Sequence, residues 1–81
     1  MERLKFYADT TRGERNKFFC FSIASRSELD ERLDYWIDKG FYIRAAWHES
    51  INEQTGERTS KQIDMMEFCE NRVFRLTKRL L

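Results

Sequence analysis

His48 is the only histidine of the 81 residues, and imidazole is the side chain that most readily exchanges protons near neutral pH. A general base also needs an orienting acid and a reacting group within hydrogen-bond reach. The neighbouring Glu49 would point to the opposite face of a strand, and Asp9 or Asp64 could approach only through the tertiary structure. We therefore interpret His48 as a residue of a sheet face or a partner contact rather than as a catalyst.

Two cysteines, Cys20 and Cys69, are the other candidate zinc ligands of the cysteine and histidine type. A structural zinc site takes four ligands, and these thiols with His48 fall one short, without CxxC spacing. The first residues, Met1–Lys5, lack the apolar stretch of a secretory signal. We accordingly predict a cytoplasmic protein whose two thiols are reduced and buried.

The remaining residues form no catalytic or nucleotide-binding motif, and we expect no enzyme activity, no cofactor, no metal and no small-molecule substrate. No apolar run approaches the roughly 18 residues of a membrane span, so no membrane contact is expected. Asp30, Asp34 and Asp38 recur every four residues on one face of a predicted helix. Such a row is typical of a solvated face, and alternatively of a contact with a basic partner.

The periodicity of the chain predicts the elements that must position these residues. Alternating apolar residues predict strands over 3–9 and 17–24, which should pair as an antiparallel hairpin. Ser25 and Glu28 have the spacing of a helix-capping box. The helix that follows, 26–39, presents one apolar stripe to the sheet and stops at Gly40.

A third strand is predicted over 41–51, with Phe41, Ile43, Ala45, Trp47 and Ile51 facing the core. Its other face would carry Tyr42, Arg44, Ala46, His48 and Ser50. Residues 58–65 form either a fourth strand or the start of the last helix, and the turn around Gly56 favours the strand.

The C-terminal segment predicts an amphipathic helix. Its apolar residues advance by three and four positions, as on one helical face: Met66, Cys69, Val73, Leu76 and Leu80. Its acids come early and its bases late, which complements the helix dipole. The sequence therefore predicts one α+β domain, residues 1–81, with an antiparallel three- or four-stranded sheet, two helices packed on it, and the order β-β-α-β-(β)-α.

The second face of this sheet is the main candidate for function. It would interleave aromatic and basic side chains: Lys5, Tyr7, Phe18, Tyr42, Arg44, His48 and Arg58. The C-terminal helix can cover this face, a protein partner can cover it, or nucleic acid can stack on its rings. Arg72, Arg75 and Arg79 add a basic stripe on the last helix.

The net charge is +1 and the isoelectric point about 7.8, which is low for a dedicated nucleic-acid domain. We therefore expect a non-catalytic binding or accessory module that acts through protein–protein contact, including a homodimer. A nucleic-acid-binding protein that uses the aromatic–basic face and the basic helix is the alternative.

Overall fold

A computed structural model of the chain describes residues 1–80, and it confirms the predicted α+β fold with a four-stranded antiparallel sheet. The elements follow in the order β-β-α-β-β-α, with the last helix in two pieces. They are β1 Glu2–Asp9, β2 Lys17–Ile23, α1 Arg26–Asp38, β3 Tyr42–Ile51, β4 Arg58–Ile63, α2 Met65–Glu70 and α3 Arg72–Leu80.

The sheet has the strand order β2-β1-β3-β4, so the first hairpin and the second hairpin join through the central pair β1 and β3. All three pairings are antiparallel. The ambiguous segment 58–65 is a strand as far as Ile63, confirming the favoured alternative. Asp64 then caps α2 by accepting a hydrogen bond from the Glu67 N–H at 3.1 Å.

The predicted cap of α1 is present. Ser25 Oγ accepts from the Glu28 N–H at 3.2 Å, while the Glu28 carboxylate accepts from the N–H of Ala24 at 2.8 Å. The carboxylate thus reaches one residue further back than in the usual reciprocal box. After the helix, Gly40 takes a positive φ of 89° and donates its N–H to Ile37, as a helix-ending glycine does.

One side of the sheet carries the core. The buried apolar residues form a single cluster with contributions from β1, β2, β3, β4, α1 and α2. They are Leu4, Phe6, Ala8, Ile23, Leu29, Leu33, Ile43, Ala46, Ile63 and Phe68. The rings of Phe19, Phe21, Trp36 and Phe41 pack around this cluster and enlarge it.

A β-bulge in β3 corrects the predicted faces of this strand. The pairing with β1 shifts register between Tyr7 and Ala8, so that Tyr7 lies opposite Ala45 while Ala8 lies opposite Ile43. Arg44 is the extra residue, and an extra residue exchanges the two faces of everything that follows. Ala46, His48 and Ser50 therefore lie on the core side, and Ala45, Trp47, Glu49 and Ile51 on the other.

The C-terminal helix also differs from the prediction, because it breaks at Asn71 into α2 and α3. Phe68 of α2 is buried in the core, whereas none of the nine residues of α3, Arg72–Leu80, is buried. Within residues 1–80, no helix combines the length and the apolar character that crossing a bilayer would require.

Candidate functional site

All the helices that contribute to the core lie on one side of the sheet. Leu29 and Leu33 of α1 and Phe68 of α2 belong to the same cluster as Leu4 and Phe6 of β1. No element within residues 1–80 therefore covers the opposite side, which we call the open face. Its side chains come from all four strands: Arg3, Lys5, Tyr7, Asp9, Phe18, Cys20, Ser22, Tyr42, Arg44, Ala45, Trp47, Glu49, Ile51, Arg58, Ser60 and Gln62.

Three aromatic rings cross the open face from the edge strand inward. The Tyr7 ring lies 5.1 Å from the ring of Phe18 and 5.9 Å from that of Trp47, centroid to centroid. Phe18 is 49% exposed. Trp47, which the sequence placed in the core, belongs to this triad because of the bulge at Arg44.

The cations of the open face are partly engaged by carboxylates. Lys5 Nζ donates to Glu49 Oε2 at 2.7 Å, and Arg3 lies 3.9 Å from Glu49 Oε1. The hydrogen bond from Lys5 lowers the pKa of Glu49, and the charges of Lys5, Arg58 and Arg3 add to this effect against the desolvation of the carboxylate. Two cations thus lie within 4 Å of one carboxylate, and the charge of Arg58 acts on it from further away.

At the other end of the open face, Arg44 donates two hydrogen bonds of 2.8 Å to Asp9. Its guanidinium also lies 5.8 Å from the ring of Tyr42, which is 65% exposed. Asp9 further accepts from the Asn16 N–H at 2.9 Å and so anchors the β1–β2 loop.

His48 lies on the core side, which corrects its predicted position on the open face. Its Nε2 is 2.8 Å from Glu2 Oε1, so it does have the oriented carboxylate partner that a general base uses. It also lines a cavity of about 450 Å³ beside Arg26, Lys61 and Arg75. No hydroxyl or thiol is among the described residues lining this cavity, and the absence of enzyme activity remains a prediction.

The basic stripe of α3 faces α1. Arg75 donates to both carboxylate oxygens of Asp34, at 2.9 and 3.1 Å, and Arg79 lies 3.0 Å from the same carboxylate. Arg72 pairs with Asp38. The three guanidiniums proposed as partner contacts are therefore engaged within the chain, and two members of the predicted aspartate row receive them.

The buried member of that row, Asp34, is only 2% exposed. Arg75 also lies over the ring of Phe68 at 3.5 Å from its centroid and donates to the Phe68 carbonyl. We call Asp34, Arg75, Arg79 and Phe68 the aspartate clamp. It holds α3 against α1 through charge-assisted hydrogen bonds rather than through apolar packing.

Because the clamp turns the basic side of α3 inward, its apolar side faces solvent. On α3, Val73 is 71% exposed, Phe74 70%, Leu76 37% and Leu80 89%, and Met66 of the preceding α2 is 74% exposed. Both thiols are exposed, which corrects their predicted burial. With Cys69, these residues form what we call the apolar helix face. The sequence predicts the apolar stripe but not the direction in which it faces. The sequence signal for this direction is the row of aspartates on α1, which matches the arginines of α3 in charge.

A groove adjoins the apolar helix face at its α2 end. It encloses about 640 Å³ between the end of α1, the start of β3 and α2. Its lining includes Ile37, Phe41, Met65, Met66 and Cys69. Apolar side chains from another molecule would find here a concave site continuous with the exposed stripe.

The carboxylates with lowered pKa values predict a loss of stability in acid. Hydrogen bonds from Arg44 and the Asn16 N–H lower the pKa of Asp9 to about 2. At Asp34, desolvation opposes ionisation, but the hydrogen bonds and charges of Arg75 and Arg79 outweigh it and lower the pKa below its ordinary 3.8. A group with a lowered folded pKa stabilises the fold above its ordinary pKa and loses this contribution as the pH falls.

The melting temperature should therefore be nearly constant above pH ~5 and fall progressively between about pH 4 and 2. Asp9→Asn should flatten part of this fall, because Asp9 then no longer titrates. Thermal unfolding followed by circular dichroism across this range measures both curves. Equal slopes for the variant and the parent protein would contradict the role of Asp9.

Within residues 1–80, no group of three or more histidine, cysteine, aspartate or glutamate residues is placed to hold a metal ion. The fold and its two exposed surfaces define a small α+β domain with an open sheet face and an outward-facing apolar helix. No protein-family model, no curated protein and no solved structure matches the chain.

Proposed function

We propose that this protein is a non-catalytic interaction module that self-associates through the apolar helix face. The observation that carries the proposal is the orientation of α3, which presents Val73, Phe74 and Leu80 to solvent at 70% exposure or more. Met66, at 74% exposure, and Leu76, at 37%, extend this apolar surface, and large exposed apolar patches mark interaction sites. Burying such a patch against a second surface is strongly favourable.

A second copy of the chain fits this surface because its charges are self-complementary. Glu67 and Glu70 lie near the start of the helical segment, and Lys78 lies near its end. If two copies pack antiparallel about a two-fold axis, the acids of one lie beside Lys78 of the other. A parallel arrangement would place like charges together.

The groove next to Met66 gives such a dimer an anchor. In the antiparallel arrangement, the exposed end of one helix, with Leu80, approaches the α2 end of the other. Interfaces derive most of their affinity from a few apolar side chains that enter fully desolvated sites. The adjoining Phe41 and Ile37 provide an apolar floor for this contact.

Analytical ultracentrifugation at micromolar concentration tests self-association directly. The parent chain should sediment as a dimer, and Val73→Glu should dissociate it, because a carboxylate would be buried without a partner. Tyr35→Glu is the matched control, since Tyr35 of α1 is 52% exposed but lies away from the stripe. A parent chain that stays monomeric throughout the concentration range would contradict the proposal.

A charge exchange tests the antiparallel arrangement. Glu70→Lys and Lys78→Glu should each weaken the dimer several-fold, in line with about 0.2–1 kcal/mol per exposed pair. The double variant should restore it, because the opposite charges again face each other across the two-fold axis. Failure of the double variant to recover would contradict this arrangement, although the dimer itself would stand.

A further inference from the structure

The aromatic triad of the open face has no role in the interface proposed above. Tyr7, Phe18 and Trp47 come from three neighbouring strands and contact one another in a row. No element within residues 1–80 covers them, and Phe18 remains 49% exposed. A row of rings on a sheet surface offers stacking platforms to planar groups, and unpaired nucleobases are planar groups of this kind.

The charges beside the triad favour a polyanion. Lys5 and Arg3 lie within 4 Å of Glu49, and Arg58 lies further along the same face, opposite Ile51, so that the single carboxylate leaves two positive charges in excess. Lys5 is the cation that Glu49 binds most closely, at 2.7 Å. Arg3, at 3.9 Å, and Arg58 are therefore freer to contact phosphate.

The opposite end of the face is electrically balanced, because Arg44 is bound by Asp9 through two hydrogen bonds. The positive excess is therefore concentrated toward Arg3 and Arg58, and Trp47, which lies opposite Lys5, is the ring nearest to it. Duplex bases are stacked on each other and cannot lie flat on protein rings. The pattern fits a chain whose bases are unpaired and whose phosphates run along one side.

We propose that the open face binds single-stranded nucleic acid, with bases stacked on Tyr7, Phe18 and Trp47 and phosphates on Arg3 and Arg58. The site is independent of the apolar helix face, because the helices occupy the other side of the sheet. RNA and single-stranded DNA share the chemistry that this surface recognises. Double-stranded nucleic acid should bind more weakly than either.

Fluorescence anisotropy with labelled ten-nucleotide RNA, DNA of the same sequence, and the corresponding duplex tests the proposal. Two phosphate contacts on a single strand predict about a sevenfold loss of affinity between 50 and 200 mM salt. Better binding of RNA than of DNA would assign the 2′-hydroxyl a contact, and equal binding would assign the site to bases and phosphates. Absence of salt-dependent binding to both strands would overturn the proposal.

Substitutions distinguish oligonucleotide binding at the open face from binding elsewhere on the molecule. Trp47→Ala should weaken binding roughly tenfold, within the range for one lost stacking contact, and Trp47→Phe should recover most of it. Arg58→Gln should reduce the affinity and the salt dependence, whereas Lys61→Gln, on the same strand but the core side, should not. Circular dichroism confirms that each variant is folded, and Tyr7→Ala replaces Trp47→Ala if the latter unfolds.

Two results would contradict the proposal that the open face binds nucleic acid. Unchanged affinity in folded Trp47→Ala and Tyr7→Ala proteins would show that the rings do not take part. A change of oligomeric state on Phe18→Glu without any change in oligonucleotide binding would assign the open face to a protein contact. Val73→Glu, which tests the dimer, should leave oligonucleotide binding intact, so the two proposals fail independently.

Discussion

Replacing Arg75 by alanine is expected to lower the free energy of unfolding by about 3 kcal/mol, the scale for removing one partner of a buried ion pair. Asp34 is 2% exposed and the Arg75 side chain 14%, so water does not replace the lost hydrogen bonds at the carboxylate. Arg79 alone would remain to neutralise Asp34. The contact of Arg75 with the Phe68 ring would be lost as well.

Chemical denaturation of the purified variant measures this loss. Arg72→Ala is the matched control, because its partner Asp38 is 55% exposed and such pairs contribute about 0–1 kcal/mol. The loss of unfolding free energy for Arg75→Lys should lie between those for Arg75→Ala and Arg72→Ala, since an ammonium cannot donate two parallel hydrogen bonds to one carboxylate. A loss for Arg75→Ala no larger than that for Arg72→Ala would show that the clamp does not hold the helix.

As a single substitution, Phe6→Ala should lower the free energy of unfolding by about 3–5 kcal/mol, as large-to-small changes in a closed core do. Phe6 is completely buried at the centre of the sheet. Its ring stacks on Phe19 at 4.9 Å and lies 6.0 Å from Phe21. Deleting it opens a cavity among rings that a rigid sheet prevents from collapsing.

A domain of this size has a total stability of roughly 4–12 kcal/mol, so Phe6→Ala removes a large part of it. The melting temperature should fall by roughly 12–40 °C, at 4–8 °C per kcal/mol. Phe18→Ala is the control, because this phenylalanine lies on the adjacent strand but on the open face and is half exposed. We expect it to cost much less; equal losses would mean that the open face is also packed.

The clamp links stability to the proposed dimer. An amphipathic helix ordinarily buries its apolar side, and α3 does the reverse because its guanidiniums bind the carboxylates of α1. Asp34 and Arg75 therefore determine which side of the helix is presented to other molecules. An Arg75→Ala protein that still folds should lose this fixed presentation and dimerise more weakly, which the same sedimentation experiment can follow.

The local elements could be predicted from the sequence because each has its own short-range signal. The alternation in β1, the Ser25 cap and Gly40 after α1 depend on neighbours a few residues away, and the structure contains all of them. The antiparallel pairing of β1 with β2 follows from the same patterns. The fourth strand has a weaker pattern, because Arg58–Ile63 contains only one buried residue.

The face of β3 could not be predicted, because a bulge leaves no mark in the alternation of residue types. Both Ala45 and Ala46 fit either side of the sheet, and the extra residue at Arg44 is defined only by the pairing with β1. That single residue moved Trp47 to the open face and His48 to the core side. Compared with the prediction, the open face therefore carries Trp47 as an additional ring and does not carry His48.

The sequence alone predicts the α+β fold, the boundaries of the strands and of α1 to within two residues, and most of the aromatic and basic residues of the open face, but not the break at Asn71. Three features could be seen only in the folded chain: the core-forming helices share one side of the sheet, Trp47 joins Tyr7 and Phe18, and α3 turns its apolar stripe outward. These features depend on contacts between distant parts of the chain. Caps and periodicity act between near neighbours in the chain, whereas the pairing of Tyr7 with Ala45 and of Asp34 with Arg75 joins residues about 40 positions apart.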